Sequence, residues 1–113
     1  MGLITTHVLD TARGRPAAGV PVTLEVGAAG GWIMVAKGTT NADGRISDLL
    51  PDDPAIASGV YRLIFDTSTY FAGNNVPAFY PQVTVVFKIE NTDQHYHVPL
   101  LLSPFGYSTY RGS

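Results

Sequence analysis

Apolar residues recur at every second position of this chain, in short runs. Val20, Val22, Leu24 and Val26 share one side of an extended segment, with Pro21, Thr23 and Glu25 on the other. Gln82 to Ile89 repeats the pattern, with Val83, Val85, Phe87 and Ile89 on one face. A period of two belongs to a strand and a period of 3.6 to a helix. Trp32–Ala36, Val60–Phe65 and His95–Leu102 are further apolar runs, and Ile4–Leu9 and Tyr107–Arg111 read as strands near the two ends. β-Branched and aromatic side chains dominate all of them. Arg13-Gly14-Arg15-Pro16, Ala28-Ala29-Gly30-Gly31, Asn41-Ala42-Asp43-Gly44 and Pro51-Asp52-Asp53-Pro54 punctuate the runs with turn chemistry. About seven short strands separated in this way predict an all-β fold, a two-sheet antiparallel β-sandwich. One stretch differs. Asp66 to Asn75 opens with N-cap residues and ends in Gly73-Asn74-Asn75, which predicts one short helix of about two turns. With 113 residues and neither repeat nor linker, residues 1–113 are expected to form a single domain.

Composition narrows the function. Only 14% of residues are charged, against roughly 25% in an average soluble domain, which suggests that part of the surface is covered by another copy. The net charge of −2 offers no basic field, so neither nucleic acid nor a membrane surface is an expected partner. The chain has no cysteine, which excludes a disulfide scaffold, a zinc ribbon, an iron–sulfur site and a thiol nucleophile. Apolar stretches such as Val85-Val86-Phe87 fall far short of the about 20 residues a bilayer helix needs. Met1 to His7 lacks the basic start and apolar run of a signal peptide, so a cytoplasmic location is expected; a leader already removed would leave no mark. Phosphate-binding, nucleophile-elbow and zinc-protease motifs are absent from the sequence.

The chemistry concentrates in His95-Tyr96-His97-Val98-Pro99-Leu100-Leu101-Leu102. Tyr96, Val98, Leu100 and Leu102 make a continuous apolar face for the core, which puts His95, His97, Pro99 and Leu101 on the outer face. Two histidines and a leucine suit a groove or a covered surface. The pair has three readings: an idle polar face, two imidazoles offered to one metal ion without a clear third ligand, or acid–base chemistry near neutral pH. His7, in Thr5-Thr6-His7-Val8-Leu9-Asp10, faces outward if Thr6 and Val8 face the core. Arg45 follows the Asp43-Gly44 turn; solvated it does nothing, but in a dry groove it can grip a urea-like group or an oxyanion.

Several of these segments, taken in order, resemble a known family. Thr6-His7-Val8-Leu9-Asp10 with Gly14-Arg15-Pro16-Ala17, Thr39-Thr40-Asn41-Ala42-Asp43-Gly44-Arg45, His95-Tyr96-His97-Val98-Pro99-Leu100 and the terminal Tyr110-Arg111-Gly112-Ser113 are similar to the motifs of 5-hydroxyisourate hydrolases, the transthyretin-related enzymes of urate breakdown. The likeness runs from residue 3 to residue 113. Transthyretin, a thyroid-hormone carrier, shares the Ser-Pro-x-x-Tyr-Ser-Thr run but lacks the two histidines, the Asp-Gly-Arg arginine and the Tyr-Arg-Gly-Ser ending, so small-ligand binding of that type is the alternative.

The resemblance implies a sandwich of about eight strands with one short helix. It also implies a homotetramer, a dimer of dimers: edge strands pair across one interface, and outer faces meet across a channel that holds the active sites. The implied reaction is hydrolysis of 5-hydroxyisourate at a ring amide to 2-oxo-4-hydroxy-4-carboxy-5-ureidoimidazoline, with neither metal nor organic cofactor. It assigns His7 and His97 to water activation and proton transfer, and Arg45 to binding the ring and stabilising the oxyanion. Ser113 would position substrate or water through its hydroxyl or carboxylate, and Tyr110 would close over the substrate. His95 is left as a supporting or solvent-facing residue. A charged Arg45 near both imidazoles should lower their pKa.

Overall fold

Alternation at this period buries one side of each strand, and the computed structural model, which describes residues 3–50 and 56–113, pairs the buried sides of two sheets. In chain order the elements are β1 (Ile4–Asp10), β2 (Arg15–Pro16), β3 (Pro21–Ala28), β4 (Gly31–Thr39), β5 (Arg45–Ile46), β6 (Gly59–Phe65), α1 (Thr67–Gly73), β7 (Val83–Ile89), β8 (Tyr96–Ser103) and β9 (Gly106–Thr109). One sheet has the order β2-β1-β8-β9, with the short β5 also on β1, and the other runs β4-β3-β6-β7. The expected sandwich and its one helix are both present. The Pro51–Pro54 turn and residues 1 and 2 lie outside the described residues.

The predicted faces hold. Val20, Val22, Leu24, Leu63, Phe65, Val83, Ile89, Leu100 and Leu102 are each at most 2% exposed and meet between the sheets. Tyr96 and Val98 join them from β8, and Val8 from β1. The Trp32–Ala36 run is a strand as expected, but it lies at the edge of the four-stranded sheet, and Trp32, Ile33, Met34 and Val35 remain exposed. A bulge opposite Leu24 and Glu25 interrupts its register.

One pairing departs from the all-antiparallel expectation. β1 lies parallel to β8, from Ile4 opposite Tyr96 to Asp10 opposite Leu102. The remaining strand pairs described are antiparallel. Hairpins force antiparallel neighbours, whereas a parallel pair needs a long crossover. Here the second sheet is that crossover, and alternation within a strand carries no information about its direction.

Helix α1 starts as its sequence predicts: the Asp66 carboxylate accepts from the Thr69 N–H and from the Ser68 and Thr69 hydroxyls. It ends at Asn74, followed by Asn75 at φ 57°, a conformation Asn tolerates better than most residues. Tyr70 on its buried side donates from its hydroxyl to Asp10 at 2.6 Å. Asp10 is 2% exposed and also accepts from the Arg13 N–H at 3.0 Å. This carboxylate clamps α1 to the end of β1. Tyr70→Phe is expected to lower stability by about 1.5–3 kcal/mol, the worth of a hydrogen bond to a charged group. Urea unfolding measures it, and an unchanged midpoint would contradict the clamp.

Candidate active site

The parallel register places Thr5 of β1 opposite His97 of β8 and His7 opposite Pro99. The core-facing neighbours Ile4, Thr6, Val8, Tyr96, Val98 and Leu100 are buried, so Thr5, His7, His97 and Leu101 share the outer face. β5 then sets Arg45 opposite His7.

The turn that delivers Arg45 is specified residue by residue. The side-chain oxygen of Asn41 accepts from the N–H groups of Asp43 and Arg45, and the Asn41 backbone exchanges bonds with Gly44 and Arg45. Gly44 sits at φ +74°, and a Cβ there would collide with the Val8 carbonyl oxygen. Only glycine can adopt that angle so close to the neighbouring strand. The Asp-Gly-Arg spacing thus aims a guanidinium across β1.

The last residues close the site from the other side. Arg111 donates to the side chain of Gln94 at 3.1 Å, and its guanidinium lies 4.5 Å from the centre of the Tyr96 ring. Gly112 donates its N–H to the His97 carbonyl at 2.8 Å. A Cβ on Gly112 would lie 2.5 Å from Cδ2 of His97, so the absence of a side chain lets the backbone pass over the imidazole. Ser113 then reaches a cleft of about 170 Å³ that is also lined by Thr5, Arg45, Ser47, His95 and His97.

Tyr110 does not line this cleft within the protomer. It is 58% exposed and borders a more apolar groove of about 300 Å³ formed with Val85, Val86, Phe87, Tyr96 and Val98. That groove holds no histidine, whereas His95 and His97 line the smaller cleft; His7 is not among its lining residues and sits on the same outer strand face, opposite Arg45. Thr5 was missed as a site residue by the sequence reasoning. Its Oγ1 lies 2.8 Å from Nε2 of His95 and 2.7 Å from Nδ1 of His97. Its signal was position alone, two residues before His7 on the same strand face. Among the described residues, no group of three or more His, Cys, Asp or Glu side chains forms a metal ligand set.

Electrostatics favours neutral imidazoles. Burial pushes the His7 pKa below its ordinary 6.5, and the Arg45 charge lowers it further, against a smaller opposing pull from Asp43. Burial also lowers the His97 pKa, followed by the charges of Arg45, His95 and His7. Both effects disfavour the protonated ring. The arrangement can take a proton from water near neutral pH and hold negative charge beside a guanidinium.

The HIUase/Transthyretin family model matches residues 4–112. The chain belongs to that family. A 5-hydroxyisourate hydrolase of Salmonella dublin is 49% identical over 111 residues, which are 98% of this chain and 81% of that one. The solved Klebsiella pneumoniae 5-hydroxyisourate hydrolase superposes with a TM-score of 0.86 at 34% identity, covering 99% of this chain and all of the other. Sea bream transthyretin in complex with thyroxine superposes at 0.90, also at 34% identity, covering 98% and 95%. The fold is therefore shared by proteins named as hydrolases and by a thyroxine-bound transthyretin, and the cleft residues must distinguish them.

The charge arrangement has a direct spectroscopic consequence. In an NMR titration His7 and His97 should both protonate below pH 6.5. Arg45→Gln should move both midpoints upward toward that value, because it removes the second cause of each shift. Midpoints at or above 6.5 in the unmodified protein would contradict the arrangement.

Proposed function

We propose that this chain hydrolyses 5-hydroxyisourate at a ring amide, giving 2-oxo-4-hydroxy-4-carboxy-5-ureidoimidazoline, as a step of urate degradation. The observation that carries the reading is the pair of imidazoles, His7 and His97, whose pKa values burial and the Arg45 charge both lower, with Arg45 set opposite His7. The names of the relatives, including the Salmonella and Klebsiella hydrolases, support it.

The chemistry follows from what a ring amide needs. A neutral imidazole, His7 or His97, takes a proton from water as the oxygen attacks the carbonyl, and imidazolium returns a proton to the departing nitrogen. Positioned acid–base groups of this kind contribute about 10²- to 10⁴-fold. Arg45 binds the polar ring and stabilises the tetrahedral oxyanion; loss of one such donor costs about 10²- to 10³-fold. Ser113 orients water or substrate at the mouth of the cleft. Written this way, the reaction draws on imidazole, guanidinium and water.

The same proposal makes the working unit a homotetramer of single-domain chains, a dimer of dimers. Several features support it. β7 and β9 are free sheet edges in the protomer, the apolar groove bordered by Tyr110 runs beside them, and Phe105 and Tyr107 are exposed at the β8–β9 hairpin. A contribution of Tyr110 to substrate binding belongs to that assembly. A cytoplasmic location is also part of the proposal, and cell fractionation is its test. Binding of an apolar ligand in transthyretin fashion is the weaker reading, because it leaves the neutral imidazoles and Arg45 without a task.

The test generates 5-hydroxyisourate in place with uricase and follows its absorbance against spontaneous decay. The protein should accelerate the loss. His7→Ala and His97→Ala should each cut that acceleration by about 10²-fold or more while light scattering gives the same assembly mass. Full activity in both variants would contradict the assignment.

A further inference from the structure

Thr5 bridges two histidines with one hydroxyl. The His95 and His97 rings lie 6.2 Å apart, centre to centre, with 27° between their planes. The Thr5 oxygen is within hydrogen-bond distance of Nε2 of the first and Nδ1 of the second. A hydroxyl has one proton to give and lone pairs to receive with. Thr5 is 6% exposed, and among the described residues its oxygen has no third hydrogen-bond partner. A buried O–H left unpaired is costly, so its proton goes to one ring while the other ring donates to it. One facing nitrogen is then protonated and the other is bare.

Two arrangements satisfy this condition. In the first, Thr5 donates to His95 and accepts from Nδ1–H of His97; neutral His97 then has a bare Nε2, ready to take a proton. In the second, Nε2–H of His95 donates to Thr5, and Thr5 donates to Nδ1 of His97. Neutral His97 then carries its proton on Nε2, ready to give it. Which ring nitrogen holds the proton is set by the hydrogen bond the other makes.

We propose that Thr5 and His95 are positioning residues that switch His97 between these tautomers during turnover. The inference rests on the hydrolytic reading above. In the first half, water gives a proton to Nε2 of His97, Nδ1 passes its proton to the Thr5 oxygen, and Thr5 passes its own proton to Nε2 of His95. The hydroxide formed bonds to the ring carbonyl carbon, and the oxyanion lies by Arg45. In the second half, Nε2 of His97 gives its proton to the ring nitrogen as the carbon–nitrogen bond breaks. The proton on His95 returns through Thr5 to Nδ1 of His97. The net transfer is one proton from water to the departing nitrogen, and the protein ends as it began.

The charged and titratable neighbours of the cluster come from several elements. Arg45 from β5 and His7 from β1 act on His97, Asp43 in the turn acts on His7, and Arg111 reaches the backbone carbonyl of His95 at 3.5 Å.

The experiment compares Thr5→Val, Thr5→Ser and His95→Phe in the full chain. Thr5→Val and His95→Phe should lower kcat about 10- to 100-fold, less than the full roughly 10²- to 10⁴-fold that a positioned acid–base group supplies because His97 itself remains, with KM little changed. Thr5→Ser should retain most of kcat. In ¹⁵N imidazole spectra, which need no turnover, the Nδ1 and Nε2 signals of His97 should report a different tautomer balance in the unmodified protein than in Thr5→Val. Unchanged kcat in Thr5→Val, equal losses in Thr5→Val and Thr5→Ser, or the same His97 ¹⁵N pattern with and without the hydroxyl would each overturn the proposal. If the unmodified protein fails to accelerate loss of 5-hydroxyisourate, the hydrolytic reading falls, while the ¹⁵N comparison still decides the coupling.

Discussion

The parallel register of β1 on β8 is the constraint on which the site depends. Seven residue pairs, from Ile4–Tyr96 to Asp10–Leu102, lock two strands that are distant in sequence. A slip of one residue would turn every side chain of one strand to the opposite face. His7 would then point into the core, and Thr5 would leave His97. The core prevents this: Ile4, Val8, Leu100 and Leu102 are at most 2% exposed and have no apolar substitutes on the outer side of β1 beyond Leu9. Burial on one face thus fixes the chemistry on the other.

The remaining parts are delivered to that frame by backbone positions that need glycine. Gly44 makes the tight turn that brings Arg45 across from His7, and Gly112 lets the final residues lie against His97. Partial burial and the guanidinium charge then act in the same direction on both imidazoles. A base that stays neutral close to a fixed cation suits attack of water on an amide, since the same cation stabilises the charge that develops. The proposed reaction therefore rests on the arrangement of ordinary residue types rather than on an unusual one.

Much of this was legible in the sequence, for identifiable reasons. Alternation in Val20–Val26, Val83–Ile89 and Tyr96–Leu102 revealed the strands and their buried faces, and Asp66 announced α1. The two-residue strands β2 and β5 were not legible, because so short a pairing has no periodicity of its own. Strand direction was also hidden, so the parallel pair came from the structure. At the site, His7, Arg45, His97 and Ser113 stood out by residue type and motif. Thr5 did not, because an isolated threonine on a strand is ordinary until its partner across the sheet is known. Tyr110 was read from its motif, and within the protomer it borders the other groove; the two-residue alternation of a strand does not extend past Thr109, where β9 ends.

The central claim is that neutral imidazoles, kept so by burial and Arg45, take the proton from water. The pH dependence of kcat/KM reports the titration of the free enzyme's essential groups. Protonation of His7 and His97 removes the base, and their pKa values lie below 6.5. Measured on 5-hydroxyisourate, kcat/KM should therefore fall on the acid side with a midpoint below pH 6.5. A decline centred at or above 6.5, or none at all on the acid side, would contradict the account.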